Sequence, residues 1–513
     1  MTNGAVITKI RSLLRAFFVS NENSLKHKSM RAAFWSMAGK MGGNVLRLGG
    51  SLILTRLLFP EAFGLMATAT VALVMLQLFT DAGVHVSIIR SPHGDSPEYL
   101  NTAWTFAILR GFAIAALVLA LAWPMTLFYG EPKLMNILFI LAAVPLMMGF
   151  ENPALALLVK RFRVERQVSF ELGSQALGLV ATAVLAMMFK SVYALAFGNI
   201  VGSVIRLVLA YRMLKYRPRL QWDKEAGRDL LRFGSAIMLN TMITWVAMKA
   251  DLLLVGWFLG MDAAGFYNLG ERFGIMIPSL CTAIFARAYM PAISAVQDDL
   301  VHIFRIYRRT VALVLTVALP VCIILCLFAP TLIELLYDPR YTPAAEAVRW
   351  LNLGSCVRII GLAAGTTFVA MNRVKFETIA MAVGAMGIMV FIPFGARFDL
   401  RTYEPTVLGV AVAVAVATAL IPLVESVFLI FKLRFPVRIV IRPWCQALGC
   451  IGLVIGIYFL LAPVLERPAG IANLPFLCIM SFVAVVVSVL IYIMIEGRSP
   501  FRVNQPEDRE NLQ

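Results

Sequence analysis

Runs of about 20 apolar residues recur along nearly the whole chain, and this limits the fold more than any other feature. Each run can carry a helix through roughly 30 Å of hydrocarbon. We place spans near 32–58, 62–84, 101–124, 134–159, 168–189, 191–211, 230–259, 263–289, 307–330, 344–370, 376–396, 406–431, 444–463 and 474–495. The expected fold is an all-α polytopic membrane protein of about 14 transmembrane helices. Composition agrees: 60% of residues are hydrophobic and 15% charged, against about 25% charged in ordinary soluble domains. A chain of 513 residues that was soluble would divide into domains with polar linkers, and none is visible. A soluble multidomain enzyme is excluded.

The chain is nonetheless strongly basic, with a formal net charge of +17, and position decides what that charge means. Of 46 Lys and Arg residues, 30 fall in one set of loops: the N-terminal tail, Arg90, Lys160–Arg166, Arg212–Arg232, Arg305–Arg309, Arg373–Lys375, Lys432–Arg442 and Arg498–Arg509. The opposite loops hold six: Lys133, Lys190, Arg340, Arg397, Arg401 and Arg467. This bias predicts cytoplasmic termini. Charge spread through short loops, rather than gathered on one domain face, argues against nucleic acid as a partner. The outward loops are too short for a large extracytoplasmic domain. Residues 1–30, with Ile10, Leu13, Leu14, Phe17 and Phe18 among Lys9, Arg11 and Arg15, suggest a basic amphipathic segment on the membrane surface. No small-residue cleavage site follows it.

Ten cations remain inside the spans. Arg56, Arg206, Arg287 and Arg349 lie near span ends and can snorkel to water. Lys40, Arg47, Arg110, Lys249, Arg272 and Arg358 lie deeper, where a cation costs at least about 2.5–3.5 kcal/mol. Each needs a carboxylate or a wet cavity. Intramembrane carboxylates are few: Asp81, Glu151, Glu171, Asp251, Glu271, Glu346 and Glu425. Asp251 and Lys249 are about 200° apart on a helix and cannot pair; Glu271 and Arg272 are equally ill placed. Some cation is left to meet an anion from outside. The seven cysteines sit in or beside apolar spans, as small buried hydrophobes do. No phosphate-binding P-loop, no G-x-S-x-G and no His-carboxylate cluster occurs. No catalytic residue and no metal ligand is expected.

The chain also repeats. Glu61-Ala62-Phe63-Gly64 closes the first hairpin and Asp262-Ala263-Ala264-Gly265 closes the seventh, 201 positions later. The first span carries Lys40, Asn44, Arg47 and Ser51 on one face; the seventh carries Asn240, Thr244, Ala247 and Asp251 at the same spacing. Such stripes face protein or water rather than lipid, and two equivalent stripes suggest a shared central cavity. Six spans separate the repeats, so the halves share one orientation and relate by a pseudo-two-fold along the membrane normal, as in known transporters. The expected organisation is a tail at 1–30, an N-lobe at 31–214, a basic linker at 215–228, a C-lobe at 229–432, two further helices within 433–497 and a tail at 498–513. Gly39/Gly43, Gly256/Gly260, Gly361/Gly365 and Gly452/Gly456 have the spacing of close helix packing.

Several segments resemble bacterial polysaccharide (oligosaccharide) flippases of the multidrug/oligosaccharidyl-lipid/polysaccharide exporter superfamily. They are Leu54-Thr55-Arg56-Leu57-Leu58-Phe59-Pro60-Glu61-Ala62-Phe63-Gly64-Leu65, then Asp81-Ala82-Gly83, then Leu157-Leu158-Val159-Lys160-Arg161-Phe162-Arg163. Ala264-Gly265-Phe266-Tyr267-Asn268-Leu269-Gly270-Glu271-Arg272 and Pro291-Ala292-Ile293-Ser294 follow in order. The resemblance implies two six-helix lobes in a V that alternates between inward- and outward-open states. It also implies a polyprenyl-pyrophosphate-linked oligosaccharide as cargo, handled by a cationic cavity in the inner membrane.

The leading expectation is therefore a flippase rather than an enzyme. Lys40, Asn44, Arg47, Arg110, Lys249 and Arg272 are its candidate substrate-binding residues. Guanidinium is the better phosphate clamp because its donors form a planar fork. Asp81, Asp251 and Glu271 are candidates for coupling to H⁺ or Na⁺; no other cofactor is expected. Expected partners are the lipid-linked oligosaccharide, membrane lipids and the polysaccharide polymerase or export machinery. The alternatives are a multidrug/cation antiporter of the same superfamily, which calls for exposed carboxylates in its cavity, and a membrane glycosyltransferase or polymerase, which needs a large outward loop.

Overall fold

The computed structural model describes residues 25–79, 84–228, 230, 249–297, 299–397, 407–461, 483 and 486–490. Most of the amphipathic N-terminal segment, Asp81, most of the seventh and fourteenth spans and the C-terminal tail lie outside them. Among the described residues there is no β-strand. The long helices are α1 (Leu25–Leu57), α2 (Pro60–Phe79), α3 (Pro97–Tyr129), α4 (Pro132–Leu141), α5 (Ala143–Gly149), α6 (Val164–Phe189) and α7 (Val192–Met213). After them come α8 (Met261–Ile284), α9 (Leu300–Leu327), α10 (Ala344–Ala370), α11 (Val374–Arg397), α12 (Val407–Leu433) and α13 (Val437–Leu461). Nine helical stretches among the described residues are long and apolar enough to cross a membrane, taking α4 with α5 as one.

Two of the expected spans are broken, and the breaks have local causes. The fourth, expected over 134–159, becomes α4, α5 and a short helix Leu155–Lys160. Pro145 and Pro153 each lack the N–H that would continue an α-helical ladder. Glycines let α3 press in at the same place: a Cβ on Gly111 would lie 2.6 Å from the Pro145 carbonyl oxygen. The eighth, expected over 263–289, leaves the α-helix at Ile284 for a π-helical turn, Phe285–Tyr289, before Met290–Ser294.

The chain forms two compact units: residues 1–58 with 72–239, and residues 59–71 with 240–513. In the first, α1 packs on α6 through glycines. A Cβ at Gly39 would meet Val168 at 2.8 Å, one at Gly50 would meet Leu179 at 2.6 Å, and Gln175 Nε2 donates to the Gly43 carbonyl at 3.1 Å. Small residues on this face let the backbones approach closely. Basic loops gather at one end of this unit. Lys160 Nζ and Arg161 Nη2 lie 3.1 and 3.2 Å from the Asp95 carboxylate. Partial burial tends to raise the Asp95 pKa, but these two cations outweigh it and hold the carboxyl below its ordinary value. The segment after α7 docks there too: Tyr216 donates from its hydroxyl to Asn101 Oδ1 at 2.7 Å, and Asn101 Nδ2 donates to Gln221 Oε1 at 2.9 Å.

In the second unit the core includes Tyr289, Tyr307, Leu315, Ile359 and Phe368, all nearly inaccessible. Here the repeated hairpins meet. A Cβ at Gly64 would lie 1.8 Å from the Met261 carbonyl oxygen, and one at Gly265 would lie 2.2 Å from the Pro60 carbonyl oxygen. Residues 60 and 64 thus meet 261 and 265 reciprocally, the pattern of a two-fold contact. A second repeat is conformational. Phe162 (φ 55°) and Asn372 (φ 56°) both adopt the left-handed conformation after a helix. Each turn is closed in the same way: Arg163 N donates to Leu158 O and Arg373 N to Phe368 O, both at 2.7 Å. Phe162 N to Val159 O and Asn372 N to Val369 O are both 3.0 Å. This is the Schellman helix ending, built at two places that also share Val159/Val369, Arg163/Arg373 and Val164/Val374.

The paired glycines are explained in two of four cases. Gly39/Gly43 face α6 and Gly361/Gly365 face α12, whereas Gly452 and Gly456 have nothing among the described residues within 4 Å of a built Cβ. Gly260 instead takes φ 85° ahead of α8, a conformation that glycine adopts without steric cost. Cys281, Cys322, Cys326, Cys356 and Cys450 are buried as expected; Cys445 is exposed, against expectation.

Candidate functional site

Helical residues 249–259 and α8 bring charge into the interior of the second unit. Tyr267 and Glu271 are four apart on α8 and so share a face. The Tyr267 hydroxyl donates to Asp251 Oδ2 at 2.6 Å, and the Leu252 N–H donates to Asp251 Oδ1 at 2.8 Å. Lys249 Nζ donates to Glu271 Oε1 at 2.5 Å. Asp251 and Glu271 are only 6% and 8% exposed. From α10, Arg358 enters the same cavity and lies near enough to Glu271 and Asp251 to interact with their charge. Among the described residues no carboxylate comes within ion-pair distance of it. The cavity measures about 50 Å³ and is also lined by Ser355 and Thr418. That is room for a few waters, not for an organic solute.

Two carboxylates and two cations leave this cluster near neutrality, the condition under which buried charge is tolerated. Asp251 was expected on a stripe facing a shared open cavity; it instead points into the core of its unit. Lys249 was expected to await an anion from outside; Glu271, across a helix–helix contact, holds it. Arg272 is exposed rather than deep. It follows Glu271 by one residue, about 100° round the helix, so it turns away from the Tyr267–Glu271 face; Tyr341 and Asp262 lie on its side.

In the first unit α1 presents its polar stripe outward. Lys40 and Arg47 are exposed, and Arg47 Nη2 donates to Asn44 Oδ1, one turn earlier. Ser51, the last stripe position, is buried and donates to the Leu48 carbonyl at 2.8 Å. Arg110 on α3 is half-buried and donates to the Gln77 carbonyl at 3.4 Å. Arg206, expected to snorkel, is held by Glu151 at 2.7 Å and stacks over Phe170. Arg349 pairs with Glu346 at 2.9 Å. Asp81 lies outside the described residues. The expected residues therefore separate into an exposed cationic stripe on α1 and a buried cluster around Asp251, with Arg110 and Arg272 in neither. Arg358 and Tyr267 complete the cluster without having been among the candidate site residues. The signals for them were the depth of Arg358 in its span and the four-residue spacing from Tyr267 to Glu271. Among the described residues no three His, Cys, Asp or Glu side chains converge as metal ligands would.

Comparison with known proteins places these features in context. Residues 53–346 match a family model described as "Polysaccharide biosynthesis protein". The chain is 25% identical over 267 residues to the succinoglycan biosynthesis transport protein ExoT of Rhizobium meliloti (strain 1021), covering 52% of this chain and 53% of that protein. It is 22% identical over 372 residues to the lipopolysaccharide biosynthesis protein WzxC of Escherichia coli (strain K12), covering 72% of this chain and 75% of that one. Among solved structures it superposes on the lipid II flippase MurJ in an inward closed conformation with a TM-score of 0.68 at 11% identity, covering 91% of this chain and all of MurJ. At that identity the likeness establishes a shared fold.

Proposed function

The chain belongs to the polysaccharide biosynthesis protein family, and from that premise we propose that it is a flippase. It moves a polyprenyl-pyrophosphate-linked oligosaccharide repeat unit from the cytoplasmic to the outer leaflet of the inner membrane, for surface-polysaccharide assembly. The observation that carries this is the pair of exposed cations Lys40 and Arg47, with half-buried Asn44 between them, on a helix whose other face packs through glycines. A guanidinium that faces lipid tails is costly, and in this reading the stripe lines an aqueous path instead. Arg47, positioned by Asn44, offers a planar fork to pyrophosphate. Lys40 adds a second positive charge about two turns away. The sugars travel in the aqueous path while the polyprenyl chain stays in lipid.

The buried cluster of the second unit suits ion coupling better than cargo binding, because its cavity is too small for a phosphate with sugars. In this assignment H⁺ or Na⁺ acts on Asp251 and Glu271, with Lys249 and Arg358 as the counter-charges that respond. Both termini are cytoplasmic in this account, as the bias of basic loops predicts. The lobes correspond to 31–214 and 229–432, and polymerase or export machinery receives the product outside.

The decisive experiment is deletion of the gene followed by analysis of lipid-linked intermediates. A complete repeat unit should accumulate on the cytoplasmic leaflet, Arg47→Ala should fail to relieve it, and Arg47→Lys should relieve it in part. Drug sensitivity with unaltered glycan would instead identify an antiporter. Normal surface polysaccharide from Arg47→Ala would remove Arg47 from the path.

A further inference from the structure

A second set of buried carboxylates lies apart from the Asp251 cluster, toward the basic end of the second unit. Glu425 sits on α12, about two turns before Lys432 and Leu433, and is 1% exposed. Its Oε2 is buried and has no hydrogen-bond partner among the described residues. The carboxylate rests on α10 where two glycines make room for it. A Cβ at Gly361 would lie 2.7 Å from Glu425 Oε2, and one at Gly365 would lie 2.9 Å from Oε1. Glu377, from α11, reaches the same spot, with its Oε1 3.3 Å from that Gly365 position. Tyr307, from α9, is 0% exposed; its hydroxyl has no partner among the described residues, and Glu425 is the charge that acts on it.

The remaining neighbours bring no positive charge. Among the described residues the charged group acting on Glu425 is Glu377, and no cation does so. Ser426, beside it on α12, accepts a hydrogen bond from Trp444 of α13 at 3.0 Å. Thr366 on α10 is bound to its own helix through Leu362 O. Lys375, two residues before Glu377, lies over the Phe376 ring.

We propose that Glu425 and Glu377 form a proton-binding carboxylate pair. Two neighbouring carboxylates in a poorly solvated site do not both ionise; they hold one proton between them. Glu425, in its glycine cradle with no cation, carries that proton. Glu377 is half-buried and lies two residues beyond the exposed residues Asn372–Lys375, so it is the member through which the proton exchanges with water. When the proton leaves, the Tyr307 hydroxyl is the donor on hand for the Glu425 anion. A metal cation is a poorer occupant, since hard cations take about six oxygens or more and the α-helical carbonyls around the glycines are already used within their helix. Gly361 and Gly365 are therefore more than packing residues: they make the space in which the carboxyl group sits.

The test uses the full chain in lipid nanodiscs, with infrared difference spectra recorded across a pH series. The wild-type protein should show a protonated-carboxyl band of which Glu425→Gln removes one component. Glu377→Gln should keep that component but shift its deprotonation midpoint to lower pH by about one unit or more, because a neighbouring negative charge has gone. A wild-type minus Glu425→Gln difference spectrum with no lost carboxyl component overturns the proposal, as does an unmoved midpoint of that component in Glu377→Gln; any band from Asp251 and Glu271 is common to all three proteins. Exchange of KCl for NaCl should leave the midpoint in place; a sodium-specific shift lost in Glu425→Gln would identify a sodium site instead. Should Glu425→Gln not fold by gel filtration, the Glu377→Gln midpoint alone decides. None of these readouts depends on which cargo is carried.

Discussion

The two compact units share backbone devices and differ in how they treat charge. Each contains a Schellman turn of the same geometry, at 158–163 and at 368–373. Within the second unit, the hairpins at Gly64 and Gly265 make equivalent contacts with one another. Yet the first unit leaves Lys40 and Arg47 exposed on helix α1, whereas the second buries Asp251, Glu271 and Glu425 in its core. Backbone geometry at a turn or a helix crossing depends on a few small or left-handed residues, so it survives wide sequence change. Charge placement depends on single side chains and can diverge freely once the frame exists. The difference fits the proposed division of labour, with cargo contact in one unit and ion handling in the other.

The largest effects should come from the shared device. Gly64→Val and Gly265→Val would each force a side chain into a carbonyl oxygen of the opposite hairpin, and both should abolish a monodisperse peak in fluorescence-detected gel filtration. If one is tolerated and the other is not, the contact is not equivalent from its two sides. Next comes the charge contrast itself. Glu271→Ala should cost about 2–4 kcal/mol, seen as a lowered melting temperature, since it strands Lys249. The lower end applies because Lys249 keeps 28% of its side chain exposed. The double variant Lys249→Met/Glu271→Met should recover most of that loss.

Arg47→Ala, by contrast, should change stability by no more than about 0.5 kcal/mol, as exposed substitutions usually do, while surface polysaccharide disappears. Should Arg47→Ala destabilise the protein as much as Glu271→Ala, the contrast between the units collapses. The smallest effects return to the common backbone. Phe162→Gly should stabilise by up to about 1 kcal/mol, because glycine removes the steric penalty of positive φ. Asn372→Gly should gain less, since asparagine tolerates that conformation. A loss at either position in thermal melts would mean that the side chain matters more than the turn.

Much of the architecture is legible in the residues. Apolar runs mark the spans because a membrane crossing demands an uninterrupted length of hydrophobic helix, and α10 (Ala344–Ala370) matches its expected limits. The hairpin repeat is legible because Gly64 and Gly265 stand in similar surroundings. Breaks inside spans are harder to read, since Pro145 or Pro278 can be accommodated or can end a helix depending on what packs beside it. α8 runs through Pro278, whereas the fourth span bends between α4 and α5 near Pro145 and ends at Gly149, short of its expected limit and before Pro153.

The candidate site divides in the same way. That Lys40, Asn44 and Arg47 share one helix face follows from 3.6 residues per turn, and needs no tertiary information. That Lys249 is neutralised by Glu271 does not, because the partner lies 22 residues away on another helix. That Glu425 rests on two glycines of α10 beside Glu377 is invisible in sequence, because three helices converge to make that place. Spans, charge asymmetry and the repeat were determined by the sequence alone, since each depends on residues close together in the chain. Which buried charges are paired, and which carboxylate is left to hold a proton, was decided by tertiary structure, since charge–charge energies depend on distances between helices that no local pattern records.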